Sequence, residues 1–172
     1  MHQKLPVEID PFRLAKSGLI LEGKLPLVSM PRLSNSLQDS SGHVDVKMSF
    51  DVDKILGSPI MIGEFKAQLP LLCERCSEPM LFEANIKSSL AIINSERKIE
   101  GLDGLYEPWI ITSDDPVILS SIVEDELILA IPLVPKHEHA CLPKEAWFSG
   151  EEQIDDEKPI SPFAVLSALK KD

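Results

Sequence analysis

Two groups of side chains in this sequence have the types and spacing that hold a metal ion. Cys73-Glu74-Arg75-Cys76 is the first, and His137, His139 and Cys141 make the second. A tight turn lets both thiolates of a Cys-x-x-Cys reach one tetrahedral zinc ion, the way a zinc knuckle holds its first ligand pair. His137 and Cys141 could supply the remaining two ligands, with His139 an alternative to His137. Two other readings of the cysteines stay open. A thioredoxin-type redox pair has the same spacing, but it opens a helix whose N-terminus lowers the thiol pKa, and here Ser77-Glu78-Pro79 leads into a strand. The third reading is that the cysteines are small, half-buried turn residues with no chemistry.

Glu124-Asp125-Glu126 resembles a set of catalytic carboxylates, but successive helical residues point about 100° apart and do not converge. Glu126 falls inside an apolar helical stripe, so it needs a partner such as Arg75 or a backbone donor. There is no glycine-rich phosphate loop, no nucleophile elbow and no metalloprotease helix. Trp109 and Trp147 read as packing residues rather than base-stacking platforms.

The elements that position these groups follow from hydrophobic periodicity. Residues 43–51 alternate apolar and polar, residues 60–72 and 80–93 form two long strands, and residues 73–79 are the tight connection between those two. The apolar phase of 60–72 switches near Gly63, which predicts a bulge. The three strands make an antiparallel meander, half-buried on one face. Upstream, Asp10-Pro11 starts a short helix that Gly18 ends, residues 19–28 form a strand with Pro26 at an edge or bend, and residues 30–37 make one helical turn. Downstream, residues 105–112 are a short strand. The main helix then has Asp115 as its cap, Pro116 at its first position and Pro132 as its stop. Its stripe is Leu119, Ile122, Val123, Leu127, Ala130 and Ile131.

Residues 145–160 are acidic and weakly patterned, which predicts a mobile segment, and Ser161 caps a last short helix over 162–170. The expected fold is α+β in one domain spanning residues 1–172. It is a bent antiparallel sheet or partial barrel, with one main helix packed on it and short terminal helices.

Composition narrows the function classes. The chain has 172 residues, 44% hydrophobic and 26% charged, the profile of an ordinary globular protein. No apolar run approaches the ~20 residues of a membrane-spanning helix, and the N-terminus lacks a secretory pattern, so a cytoplasmic location without membrane contact is expected. An odd number of cysteines in that compartment argues against a disulfide framework. The formal net charge is −11. Sequence-independent nucleic-acid binders carry a basic surface, because neutralising phosphates supplies their affinity. Any RNA contact here must be local, weak or made through a partner. A basic partner, such as a ribosomal protein, fits the charge; the plainer alternative is that acidity keeps the chain soluble.

Several segments, in matching order and spacing, resemble the YceD family, the bacterial large-subunit ribosomal RNA accumulation proteins. They are residues 5–15 (LPVEIDPFRLA), 72–76 (LCERC), Tyr106-Glu107-Pro108, 123–135 (VEDELILAIPLVP), the 137–141 cluster and 162–170 (PFAVLSALK). The resemblance implies a small cytosolic protein needed for synthesis, processing or stability of large-subunit ribosomal RNA, with no known enzymatic reaction. Many family members carry a second cysteine pair after the helix, where this chain has His137, His139 and Cys141.

The expected function is therefore a non-enzymatic accessory factor in large-subunit biogenesis. It would meet its RNA directly or through a basic ribosomal or assembly protein. Its rivals are a zinc-binding protein–protein adaptor with an indirect effect on ribosomal RNA, and an RNA-processing enzyme. Direct RNA contact would use Arg75, Lys66 and Lys87, which lie near the 73–79 turn.

Overall fold

Asp10 and Pro11 end the first extended segment and start the first helix. The computed structural model describes residues 4–102, 104–112 and 116–143. Strand β1 (Glu8–Ile9) leads into helix α1 (Pro11–Ser17), where the Asp10 carboxylate accepts the Arg13 N–H at 3.0 Å and Gly18 closes the helix in the left-handed region. Strand β2 (Ile20–Pro26) follows, then the short helix α2 (Pro31–Ser34). Strands β3 (His43–Val52), β4 (Pro59–Leu72) and β5 (Pro79–Ile93) form the expected meander. Strand β6 (Glu107–Ile110), strand β7 (Val117–Ile118) and helix α3 (Leu119–Ala130) complete the order. All of these lie in the compact unit Met1–Cys141.

The fold is α+β, but the partial barrel is not formed. The five-stranded sheet is open, in the order β2-β3-β4-β5-β6, and β1 pairs separately with β7. One face is covered by the helices. Val44, Val46, Met48 and Phe50 of β3 and Met61, Phe65, Leu69 and Leu71 of β4 are buried against Leu27, Met30 and Leu33 around α2 and Leu119, Val123 and Leu127 of α3. Each such side chain contributes ~1.5–3 kcal/mol on leaving water. Among the described residues no helix is long and apolar enough to cross a membrane.

Several further expectations need correction. There is no bulge at Gly63: the register runs one-to-one through it, Met48↔Gly63↔Ser88. Gly63 keeps the inward phase, and a Cβ there would meet Cζ of buried Phe65 at 2.6 Å, so that ring fills the missing side chain's place. Ile62 is an outward apolar residue, 45% exposed, not the start of a new phase.

The main helix begins at Leu119, not Pro116, because Val117 and Ile118 extend to pair with Ile9 and Glu8. Its end is as expected: Ile131 is extended, as a residue before proline must be. The strand expected over 105–112 is shorter and pairs with β5 in parallel. The expectations placed on Asp115, Trp147, the acidic segment 145–160 and the helix 162–170 lie outside the described residues.

The carboxylates of α3 divide differently from expectation. Glu124 is the buried one, 4% exposed. One of its oxygens accepts the N–H groups of Arg32 at 2.6 Å and Leu33 at 3.0 Å, and the other meets the Arg32 guanidinium at 2.9 Å. Helix α2 has no side-chain cap of its own, and those are the amides an N-cap would satisfy.

Glu126 is half-buried, as its place in the stripe required, and its partner is the buried Ser88 hydroxyl rather than Arg75. Burial raises its pKa, the Ser88 hydrogen bond partly offsets this, and Glu107 and Asp125 add repulsion. A pKa raised in the folded state means stability is fullest below the unfolded value and falls as pH rises through the folded one. Glu126→Gln is therefore expected to lose less stability than the parent as pH rises above the ordinary carboxylate range, read as denaturation midpoints across that rise. Parallel midpoints would show that Glu126 titrates in solvent.

Candidate metal centre

Two successive hairpin turns of the meander share one backbone. In the first, Asp53 N–H donates to the Ser58 carbonyl at 2.9 Å and Gly57 N–H to Asp53 at 2.8 Å; in the second, Cys73 N–H donates to Glu78 at 3.0 Å and Ser77 N–H to Cys73 at 2.8 Å. The fifth residue is left-handed in both, Gly57 at φ 64° and Ser77 at φ 59°. Asp53 Oδ1 accepts the N–H groups of Ile55 and Leu56, each at 2.8 Å. In the second turn the Cys73 sulfur takes that role, toward the backbone donors of Arg75 and Cys76. The turn thus presents N–H groups to whatever anion its first residue carries. Ser77 bears a Cβ where the geometry favours glycine, so Ser77→Gly is expected to raise stability by about 1 kcal/mol in a denaturant titration. No gain would mean that the serine side chain offsets the strain.

The second ligand group arrives on the segment after α3. The Glu74 N–H donates to the Pro135 carbonyl at 2.8 Å, which docks that segment on the turn. Cys73, Cys76, His137 and Cys141 then converge, with one ligand atom from each and all within 4.8 Å of one another. Cys73 Sγ lies 3.8 Å from Cys141 Sγ, and Cys76 Sγ lies 3.5 Å from His137 Nδ1. Bonds of ~2.3 Å to sulfur and ~2.0 Å to nitrogen at tetrahedral angles give edges of ~3.8 and ~3.5 Å, so these contacts have the size zinc requires. A disulfide would need sulfurs ~2.05 Å apart, and all three cysteines are free. His137 Nε2 faces the Pro79 carbonyl at 3.3 Å. A carbonyl only accepts, so Nε2 carries the proton and Nδ1 presents its lone pair to the centre, the usual outer-shell arrangement of a ligating histidine.

His139 is not among the four. It is exposed, and its ring lies against that of His137 with centroids 4.8 Å apart. Arg75 is the residue that sequence reasoning misplaced. Its Nε donates to Cys141 Sγ at 2.9 Å, and its terminal nitrogen donates to the carbonyls of His137, at 3.0 Å, and His139. The signal was available: the turn repeats as D-x-x-L-G-x-P and C-x-x-C-S-x-P, and Arg75 sits between the two cysteines of the second copy.

Proton affinities in the cluster are uneven. Burial pushes the Cys73 thiol up, but the backbone donors of His137, Cys76 and Arg75 outweigh it and hold the thiol at about 5. Burial pushes Cys76 up to about 11, and neighbouring Cys141 and Cys73 add to it. Burial also raises Cys141, which the Arg75 and His137 hydrogen bonds more than reverse. One sulfur is thus a ready anion, and a bound cation would deprotonate the rest.

Arg75, Lys66 and Lys87 do not make a basic patch. Arg75 is committed to the loop, Lys66 lies opposite Asp45 and Lys87 opposite Glu64 across the strands. Lys47 likewise sits between Glu22 and Glu64, so this exposed face is a mosaic of alternating charge.

The family model described as "Large ribosomal RNA subunit accumulation protein YceD" matches residues 61–170, a span that holds all four converging side chains. The protein so named in Haemophilus influenzae is 31% identical over 172 residues, 98% of this chain and 97% of that relative. No solved structure matches.

Proposed function

The chain belongs to the YceD family of large ribosomal RNA subunit accumulation proteins, and on that premise we propose that it is a non-enzymatic accessory factor for large-subunit ribosomal RNA, built on a structural zinc knuckle and acting in the cytoplasm through a basic protein. The observation that supports this reading is the convergence of three cysteines and one histidine, whose ligand atoms all lie within 4.8 Å of one another. A zinc ion held by four protein ligands keeps no position open for water or substrate, which is the mark of structural rather than catalytic zinc. Three thiolates around a divalent ion leave one negative charge, and the Arg75 guanidinium is placed to balance it.

Charge supports a protein partner over direct RNA contact. The net charge is −11, and the outer-face lysines alternate with carboxylates. Such a chain is steered toward basic surfaces and away from phosphates. Depleting the protein from its own host is expected to lower large-subunit relative to small-subunit ribosomal RNA. The parent chain should restore the ratio and Cys73→Ser should not. An unchanged ratio on depletion would contradict the reading.

A further inference from the structure

Among the described residues, strand β5 leaves an edge open beside the Cys73–Cys76 turn. β4 pairs with β5 from Pro79 to Ala91, but on the other side β6 reaches only from Leu90 to Ile93. Among the described residues, no backbone group outside β4 pairs with residues 80–89. Free edges are ordinarily short, charged or covered. This one carries Leu81, 65% exposed.

A groove of about 1060 Å³ wraps this part of β5: it is lined by Pro79, Leu81 and Phe82 on the strand, by Gln68 and Pro70 of the paired β4, and by Pro132 and Val134 on the segment after α3. Glu83 and Glu138 stand in its lining against Lys136. Exposed Glu74 and Glu78 are on the turn next to Pro79. A second depression shares Leu81 and Glu83 with this groove and lies over β4 and β3, with Asp39 and Asp45 against Lys66. The far wall is held by the Glu74–Pro135 hydrogen bond, by Arg75 and by the ligands His137 and Cys141.

We propose that this groove takes an extended segment of a basic protein, which adds to the β5 edge as a further strand. The unpaired N–H and C=O groups call for a ladder of matching groups at strand spacing, which a polypeptide has and a nucleic acid lacks. Alternate side chains of the added strand would meet the apolar walls, and lysines or arginines between them would meet the carboxylates. Leu133 beside the wall is fully exposed and extends the apolar surface. This inference rests on the basic-partner reading above and names the surface that reading lacks.

The test uses the full zinc-loaded chain and a labelled peptide of about eight residues alternating valine and lysine, long enough for one strand. Fluorescence anisotropy should report binding that weakens with salt. N-methylating alternate amides should abolish it in one register and spare it in the other, since only one set faces the edge. Leu81→Lys, on an exposed side chain, should weaken it about tenfold by placing like charge in the groove. Hydrogen exchange at residues 80–89 should slow on binding.

Equal binding of both methylated registers, or protection elsewhere, would overturn the proposal. So would large-subunit RNA, or a second copy of the chain, protecting the same amides in preference to the peptide. A basic partner recovered from cells whose binding survives Leu81→Lys would remove the groove and leave the accessory role standing. An unchanged ribosomal RNA ratio on depletion would remove that role itself.

Discussion

Cys73→Ala is expected to release zinc and to free the segment after α3 from the turn. Cys73 is fully buried, its sulfur is the acceptor around which the turn's backbone donors are arranged, and it lies a tetrahedral edge from Cys141. Changing an outer-shell partner of a metal costs up to ~100-fold in affinity, so removing a ligand should cost at least ~100-fold. Metal content after dialysis should fall from one zinc per chain to a trace. Amides around His137 and Cys141 should exchange faster, because the proposed ion would tie these residues to the turn beyond what Arg75 and the Glu74–Pro135 hydrogen bond supply. Cys76→Ala, His137→Ala and Cys141→Ala should behave alike, and His139→Ala should keep its zinc. Loss of zinc from His139→Ala with retention in His137→Ala would reverse the ligand assignment.

Glu124→Ala is expected to cost about 3 kcal/mol of stability, the upper range for leaving buried donors without an acceptor. Arg32 is half-exposed and can turn to water or keep Asp125, so its share is small. The main loss falls on the Arg32 and Leu33 amides, which start α2 and have no other cap. Because α2 and its flanks bury Leu27, Met30 and Leu33, the loss should spread to the core. Glu124→Gln keeps an acceptor and should recover part of it. A denaturation midpoint for Glu124→Ala equal to the parent's would show that water replaces the carboxylate at no cost.

The parts of the fold legible in the sequence were those set by local rules. Val44 to Phe50 alternate because one face of β3 is buried, and Asp10, Pro11 and Gly18 bound α1 through capping chemistry alone. The tight turn that carries Cys73 and Cys76 was legible because Ser77-Glu78-Pro79 leads into a strand.

What escaped the sequence depends on partners far along the chain. Val117 and Ile118 are strand rather than helix only because Glu8 and Ile9 lie beside them. Glu124 sits one position off the apolar stripe, and its burial is explained by donors 91 and 92 residues away. His137 and His139 are equivalent by spacing. The choice between them is made by the Pro79 carbonyl, which orients one ring, and by Arg75, which fixes the backbone of both. Gly63 misled because a neighbouring ring, not its own side chain, fills its place in the core.

The proposed centre is a closed zinc site of three cysteines and one histidine. Zinc-edge X-ray absorption on the purified full chain measures it directly. The expected spectrum has three sulfur neighbours at ~2.3 Å and one nitrogen at ~2.0 Å, with no oxygen in the first shell. A first shell with a water oxygen and only two or three protein ligands would contradict it and put an open, reactive metal where a structural one is claimed.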